Sequence, residues 1–429
     1  MTIEVRVNNL AKRAGIALVG LIACALLLLA AATNCTVGLL TDPRVNVSRE
    51  LLAAGTAFVP RSSPLNARLA EMELQDEDRD ILSIERRATL AMNSSPWDYR
   101  YRLLLATVKE AQGDRPAAEQ ALQQALALAP NNTEVHWRFA NLLLRQGRLT
   151  RAVVEFRAAN AANISLLAGT LDLLWRVSSG SLPTVQAVTP KDPRSQLILA
   201  QFLLKQSRAA DAITVCSGIE RDSLVGLPEF SPFIDSLVSQ GRLDEARGLW
   251  FGVVGGIYGR PGNPLPGMWN GSFESNIDRN LAQFDWTVSG NEYATPSVDS
   301  NASHSGNRSL RIDFTGRDTT RLDGQVKQLL LIKPGARYRL ECYAKTVRFE
   351  SPEGPRIVVA DFSNSSEIAA SGPIPNGSED WRLISIDFKA PASGRAAVVT
   401  IKRVPKFSFD KPTRGTIWLD DFVLTEIDK

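Results

Sequence analysis

The chain has 429 residues, with 49 Lys and Arg against 46 Asp and Glu, a formal charge of +3 that gives no field suited to a polyanion and so excludes nucleic acid as the expected partner. Its length implies about two or three folding units, and an apolar fraction of 44% beside 22% charged residues excludes both a disordered chain and a polytopic transporter. Cys24, Cys35, Cys216 and Cys342 stand too far apart in sequence for a disulfide scaffold or a zinc motif.

The first element is an uncharged apolar run from Ala14 to Ala32. As a helix it spans roughly 28 Å, enough to cross a hydrocarbon core, and it lacks the polar stripe of a surface helix. Arg6, Lys12 and Arg13 precede it, whereas Asp42 and Arg44 beyond it cancel. The positive-inside bias therefore keeps residues 1–13 in the cytosol, with 14–34 as a transmembrane or signal segment and the remainder exported. In a bacterium this means a single-pass inner-membrane protein with its bulk in the periplasm. Cleavage after Ala30-Ala31-Ala32 would instead release a secreted chain, and Leu21-Ile22-Ala23-Cys24 leaves lipidation at Cys24 open.

Residues 60–254 are rich in helix formers and repeat with a 34-residue offset: Gly113 with Gly147, Ala118 with Ala152, Leu122 with Phe156, Ala125 with Ala159. The offset returns as Ser207 with Gly241, Ala212 with Ala246 and Cys216 with Trp250. This period predicts paired antiparallel helices. The glycines stop a first helix, the alanines let two helices approach, and Leu122 and Phe156 are the larger knobs. Gly113-Asp114 through Ala129-Pro130, Gly147-Arg148 through Ala159, and Gly241 to Ala246 resemble tetratricopeptide repeats. A degenerate copy runs from Leu65 to Pro96, while Asn163 to Asp192 breaks the period. The resemblance implies an α-helical superhelix whose concave face holds a protein partner; a plain spacer is the alternative.

Gly255 to Gly267, with five Gly and three Pro, predicts a linker that ends the helices. After it, residues 268–429 hold 16 of the 30 aromatic residues, and apolar positions alternate. Leu310, Ile312 and Phe314 form one such series; Tyr338, Leu340 and Cys342 form another; Ile384, Ile386 and Phe388 form a third. Period two, with further runs at 356–362, 397–404 and 416–424, predicts an antiparallel sandwich of eight or so strands. Asn270 to Glu274, Ser305 to Leu310, Pro334 to Tyr338, Asp380-Trp381 and Trp418 to Phe422 resemble, in order and spacing, a carbohydrate-binding module of the family 4 and 9 type, within the galactose-binding-like jelly rolls. The whole chain is thus read as multidomain α and β: transmembrane helix, helical repeats, all-β jelly roll.

That resemblance implies a structural Ca²⁺ between the first and last strands, with Glu274 and Asp420 at the matching positions and hard oxygen ligands of the required kind. Solvated strand-end acids are the alternative. It also implies a neutral glycan as ligand, in keeping with 21 basic and 21 acidic groups in this domain. Sugar recognition needs flat aromatic faces beside hydroxyl-binding polar groups. Trp286, Tyr293 and Trp381, with Arg317 and Gln325, are the candidates, and Trp418 is read as core. No HExxH, GxSxG or P-loop pattern is present, and His136 and His304 have no nucleophile motif beside them. No catalytic residue is assigned, although carboxylate pairs leave glycosidase chemistry open. The expected function is a membrane-anchored scaffold for polysaccharide assembly or export, or else a purely protein-binding envelope protein.

Overall fold

The apolar run is rich in Ala and Leu, good helix formers, and is helical throughout α1 (Leu10–Thr41). The computed structural model describes residues 10–257, 267–317, 320–407 and 410–427, with side chains from Arg13 onward. Helix α1 continues to Thr41, beyond the predicted end at residue 34, because Val37 and Leu40 pack against the helices that follow. Contacts divide the chain into two compact units, Met1–Pro190 and Lys191–Lys429.

The first unit continues with α2 (Arg49–Phe58), α3 (Ser63–Leu74) and α4 (Ile81–Ser94). It then forms the hairpins α5 (Tyr99–Ala111) with α6 (Arg115–Leu128) and α7 (Thr133–Arg145) with α8 (Leu149–Ala162). Asp80, Asp98, Asp114 and Asn132 cap their helices by accepting from free backbone N–H groups of the first turn. Gly113 and Gly147 have φ of 80° and 73°. The next residue's amide reaches back to Lys109 O and Leu143 O, closing each helix with a 6→1 bond that requires the left-handed residue. Ala118, Ala152, Leu122 and Phe156 are all buried. The period fails where expected, at the shorter α9 (Leu167–Val177) and α10 (Leu182–Val188).

The second unit opens with α11 (Pro193–Lys205), α12 (Ala209–Ser217), α13 (Arg221–Leu224), α14 (Phe230–Ser239) and α15 (Leu243–Ile257). Two five-stranded antiparallel sheets follow. Their strands are β1 (Thr287–Val288), β2 (Ala294–Asp299), β3 (Ser309–Thr315), β4 (Val326–Leu331), β5 (Arg337–Glu350), β6 (Arg356–Asp361), β7 (Glu367–Ala370), β8 (Gly377–Lys389), β9 (Ala396–Lys402) and β10 (Arg414–Ile427). One sheet has the order β1-β4-β9-β6-β7 and the other β2-β3-β10-β5-β8. The predicted alternation is realised: Leu310, Ile312, Phe314, Leu340, Cys342, Ile386 and Phe388 fill the core between them.

The composition boundary and the physical one differ. Helix α15 runs through Gly255 and Gly256 to Ile257, so the helix-breaking linker does not begin at Gly255; residues 258–266 lie outside the described ones. Within the second unit, Trp250 of α15 meets Trp269 and Phe284 edge-on, with centroids 5.6 and 5.7 Å apart. Its Nε1 donates to Leu281 O at 2.7 Å, and Gln283 Nε2 donates to Ser231 Oγ at 2.6 Å. Trp250 occupies the position that is Cys216 one repeat earlier. Here the large knob is spent on the sandwich, and α11–α15 belong to the same compact unit.

Candidate functional site

The repeat hairpins leave a groove of about 480 Å³ between α5 and α7. Its floor is the buried Leu103, Ala106 and Leu122, and its walls carry Thr107, Glu110, Trp137, Arg138, Asn141 and Arg145. Arg138 is held in place by Thr107 Oγ1 at 2.9 Å and Glu134 Oε1 at 3.0 Å. Trp137 is fixed edge-on against Phe156 with centroids 5.1 Å apart. Asn141 donates through Nδ2 to Trp137 O at 2.8 Å. An apolar floor under charged and amide walls suits an extended peptide, whose side chains and backbone need both. His136 belongs to the scaffold: its ring nitrogens lie 2.7 Å from Glu155 Oε2 and 2.8 Å from Pro130 O.

The predicted sugar-binding residues do not share a surface. Trp286 is fully buried, in a three-ring cluster with Phe273 and Phe422, with Nε1 donating to Asn270 O at 3.1 Å. Both its faces are covered, so it is a core residue and not a sugar platform. Tyr293 leads into β2 and Trp381 lies on β8, the two edges of one sheet. Four strand spacings, about 19 Å, separate those edges. Tyr293 and Arg317 do lie together, since Tyr293 O accepts from Thr315 N and Arg317 pairs with Glu292 at 2.9 Å. Gln325 Oε1 is taken by Asp323 N at 2.6 Å. Trp418, read as core, faces outward instead. Its ring carries Arg311 at 5.5 Å and its Nε1 donates to Asp299 Oδ2 at 2.9 Å.

An aromatic cluster that the sequence pattern does not reveal surrounds Trp381. The His304 ring stacks on Tyr343 of β5 at 3.5 Å, with Trp381 edge-on at 5.8 Å. Asp421 orients this ring through Nδ1 at 2.6 Å and also accepts from Ser305 Oγ at 2.7 Å. Lys345 bonds Asp380 beside Trp381 at 2.9 Å, which holds the Asp380 carboxyl below its ordinary range. The alternation of Tyr343 with buried Cys342 and Ala344 was the only available signal of its outward face.

Glu274 and Asp420, expected to hold calcium, meet one loop. Glu274 Oε1 accepts from Asn307 N and Arg308 N at 2.7 and 2.8 Å; Asp420 Oδ2 accepts from His304 N and Ser305 N at 2.7 and 3.3 Å. Asp420 is fully buried, which raises its pKa. These amides offset both carboxylates from either end of the loop, and the two side chains keep oxygen lone pairs that a hard cation could use. Among the described residues no cluster of three acidic, His or Cys groups surrounds them, so further ligands would have to be carbonyl, hydroxyl or water oxygens.

A second groove, about 680 Å³, lies over the other sheet, between it and α14. Val358, Ala360, Val398 and Thr400 form its floor, Lys327, Lys402, Asp323 and Glu367 its charged margin, and Phe362 its one lining aromatic. Asp285 borders it, 3% exposed and with its pKa pushed by burial up to about 7. Burial also pushes the Cys216 thiol up to about 12 and that of Cys342 higher still, so both are inert core groups at neutral pH.

Residues 91–163, which include α5–α8, match the tetratricopeptide repeat family. No curated protein matches the chain. Among solved structures it is similar to a thermophilic tetratricopeptide repeat protein of Thermus thermophilus, with 27% identity over 31% of this chain and 70% of that one and a TM-score of 0.26. It is also similar to a family 4 carbohydrate-binding module, with 15% identity over 37% of this chain and 99% of that one and a TM-score of 0.28. The xylan-binding CBM22-1 domain of Paenibacillus barcinonensis Xyn10C gives 15% identity over 37% and 92%, at a TM-score of 0.25. The class is therefore a multidomain chain in which an apolar helix and a tetratricopeptide-like helical region precede a two-sheet antiparallel β-sandwich. Within it, this chain carries a repeat region of the protein-interaction type, preceded by one helix apolar and long enough to cross a membrane.

Proposed function

We propose that this is an exported scaffold of the bacterial inner membrane, held by α1, that binds an extended segment of a protein partner between α5 and α7. The carrying observation is the groove itself, with an apolar floor and fixed Arg138, Trp137 and Asn141 walls. A photo-crosslinking residue at position 141 should capture a defined partner in cells, whereas the same residue at the exposed Arg157 of α8 should not. Equal capture at both positions would leave the repeats as a spacer.

The sandwich is read as the glycan-binding half, with Trp381 as the stacking face and Lys345, Asp380 and Asp421 nearby for hydroxyls. Polysaccharide assembly or export is the setting that joins such a sugar site to a protein groove. Retention of a neutral oligosaccharide on a glycan array, lost in Trp381→Ala, is expected; no binding to any glycan would remove this half. A second reading, protein contact by both units, is favoured by the groove over β4, β9 and β6, where charged margins and a single Phe suit a polypeptide better than a pyranose. Calcium, where present, would be held by Glu274 and Asp420 and would neutralise their charge beside the 304–308 loop. A melting temperature that does not move between calcium and chelator would count against that site.

A further inference from the structure

The length of α1 fixes how far the first unit stands from the bilayer. Arg13 is the last charge before the apolar run, and about 20 residues of helix cover the hydrocarbon core, which places its far boundary near Thr33. Beyond it, Leu40 enters a cluster with Val47, Leu52, Leu65 and Leu69. Gly55 lets α2 approach, since a Cβ there would lie 3.1 Å from Leu40 Cδ1. Further along α2, Phe58 and Val59 line the same apolar crevice, about 190 Å³, as Leu29, Ala32 and Thr33 of α1. Helix α2 thus runs antiparallel to α1, back toward the lipid, and ends at the level of the hydrocarbon boundary.

The next helices keep that level. Helix α3 starts there and leads away, α4 returns, and Ser63 Oγ lies 2.9 Å from Ser95 Oγ. The connections after α2 and after α4 therefore share the end of the unit nearest the membrane. They expose Phe58 at 74% and Trp97 at 85%, beside the exposed cation Arg61 and the Arg100–Asp98 ion pair. Large aromatics left to water at two adjacent corners are costly, whereas the headgroup layer accepts aromatic rings and cationic side chains together.

We propose that these two connections rest in the headgroup layer of the leaflet from which α1 emerges, with Phe58 and Trp97 inserted among the lipids. The occupant of this face is the bilayer itself, continuous with the lipid around Leu29 and Thr33. The first unit is then seated rigidly on the membrane, not tethered above it. The inference rests on the anchored reading of α1.

The test uses the full chain reconstituted in vesicles of phosphatidylcholine and phosphatidylglycerol, with Trp97 isolated as the difference between wild type and Trp97→Phe. Its emission should be blue-shifted and quenched more by a lipid carrying a shallow nitroxide than by a deep one or by aqueous acrylamide. Water-like emission with strong acrylamide quenching, in a chain that carbonate does not extract, would overturn the proposal while sparing the anchor. Extraction by carbonate would sink the anchor and the proposal together. A Trp97 shielded from every nitroxide lipid and from acrylamide would mean a protein covers this face, which also overturns it. A Phe58→Ser, Trp97→Ser double variant should keep its helical circular dichroism and carbonate resistance but exchange amide hydrogens faster at 58–63 and 95–98; unchanged exchange would count against lipid contact.

Discussion

In α5–α8 the core residues meet partners within their own hairpin or in helices adjacent in the chain, as Tyr101, Leu104 and Val108 meet α3 and α4, and the same Gly, Ala and Leu or Phe positions recur every 34 residues. In the sandwich, Leu419 of β10 pairs with Leu310 of β3 and with Ala344 of β5, partners distant in the chain. The first arrangement makes a groove by translation of one unit, so groove-lining residues can be read from the repeat. The second brings His304, Tyr343, Trp381 and Asp421 together from four separate segments, so its site follows from topology alone. Helices α11–α15 are the mixed case: repeat-like in sequence, yet joined to the sandwich through Trp250.

That mixed case offers the sharpest way to break the comparison. Trp250→Ala empties a site 1% exposed and should cost about 3–5 kcal/mol, lowering one shared unfolding transition of residues 191–429 in chemical denaturation. Loss of helical signal with the sandwich transition unmoved would show two separate folding parts. The next effect distinguishes the sandwich by its buried acid. Burial raises the Asp285 carboxyl from 3.8 to about 7, so the folded chain holds this proton more tightly than the unfolded one. The stability it contributes is complete below about pH 4 and is lost as pH rises through about 7, a fall of at most about 4 kcal/mol at 1.4 per pH unit. Asp285→Asn should flatten that part of the stability profile; a profile identical to wild type would place the titration elsewhere. The smallest effect probes the repeats. Ser207 stands at the helix-stop position of Gly113 and Gly147 with φ of 59°, and Arg208 N closes the turn onto Leu203 O. Ser207→Gly should raise stability by about 1 kcal/mol in thermal unfolding, and destabilisation would show that the serine side chain is needed there.

The legible part of the fold was what short-range periodicity carries. The α1 run, the 34-residue offset and the strand alternation all translate directly into elements, because each reports which side of a helix or strand is apolar. Helix α2 was less visible: Ser48 caps it by accepting from Leu51 N, yet Gly55 and Thr56 blur its pattern, and Gly55 is there for close packing on α1. The candidate site was harder still. Trp286 and Trp381 look alike as aromatic residues among polar neighbours, but one completes the core with Phe273 and Phe422 and the other faces out from β8.

Sequence by itself therefore determined an apolar helix, a helical repeat and a β-sandwich, together with the near-neutral charge that disfavours a polyanion. Tertiary structure alone decided that α15 passes through Gly255, that Glu274 and Asp420 grip opposite ends of the 304–308 loop, and that Phe58 lines the same crevice as Leu29. The physical reason is the range of the interaction: periodicity records burial along one element, whereas a site depends on which distant elements share a surface.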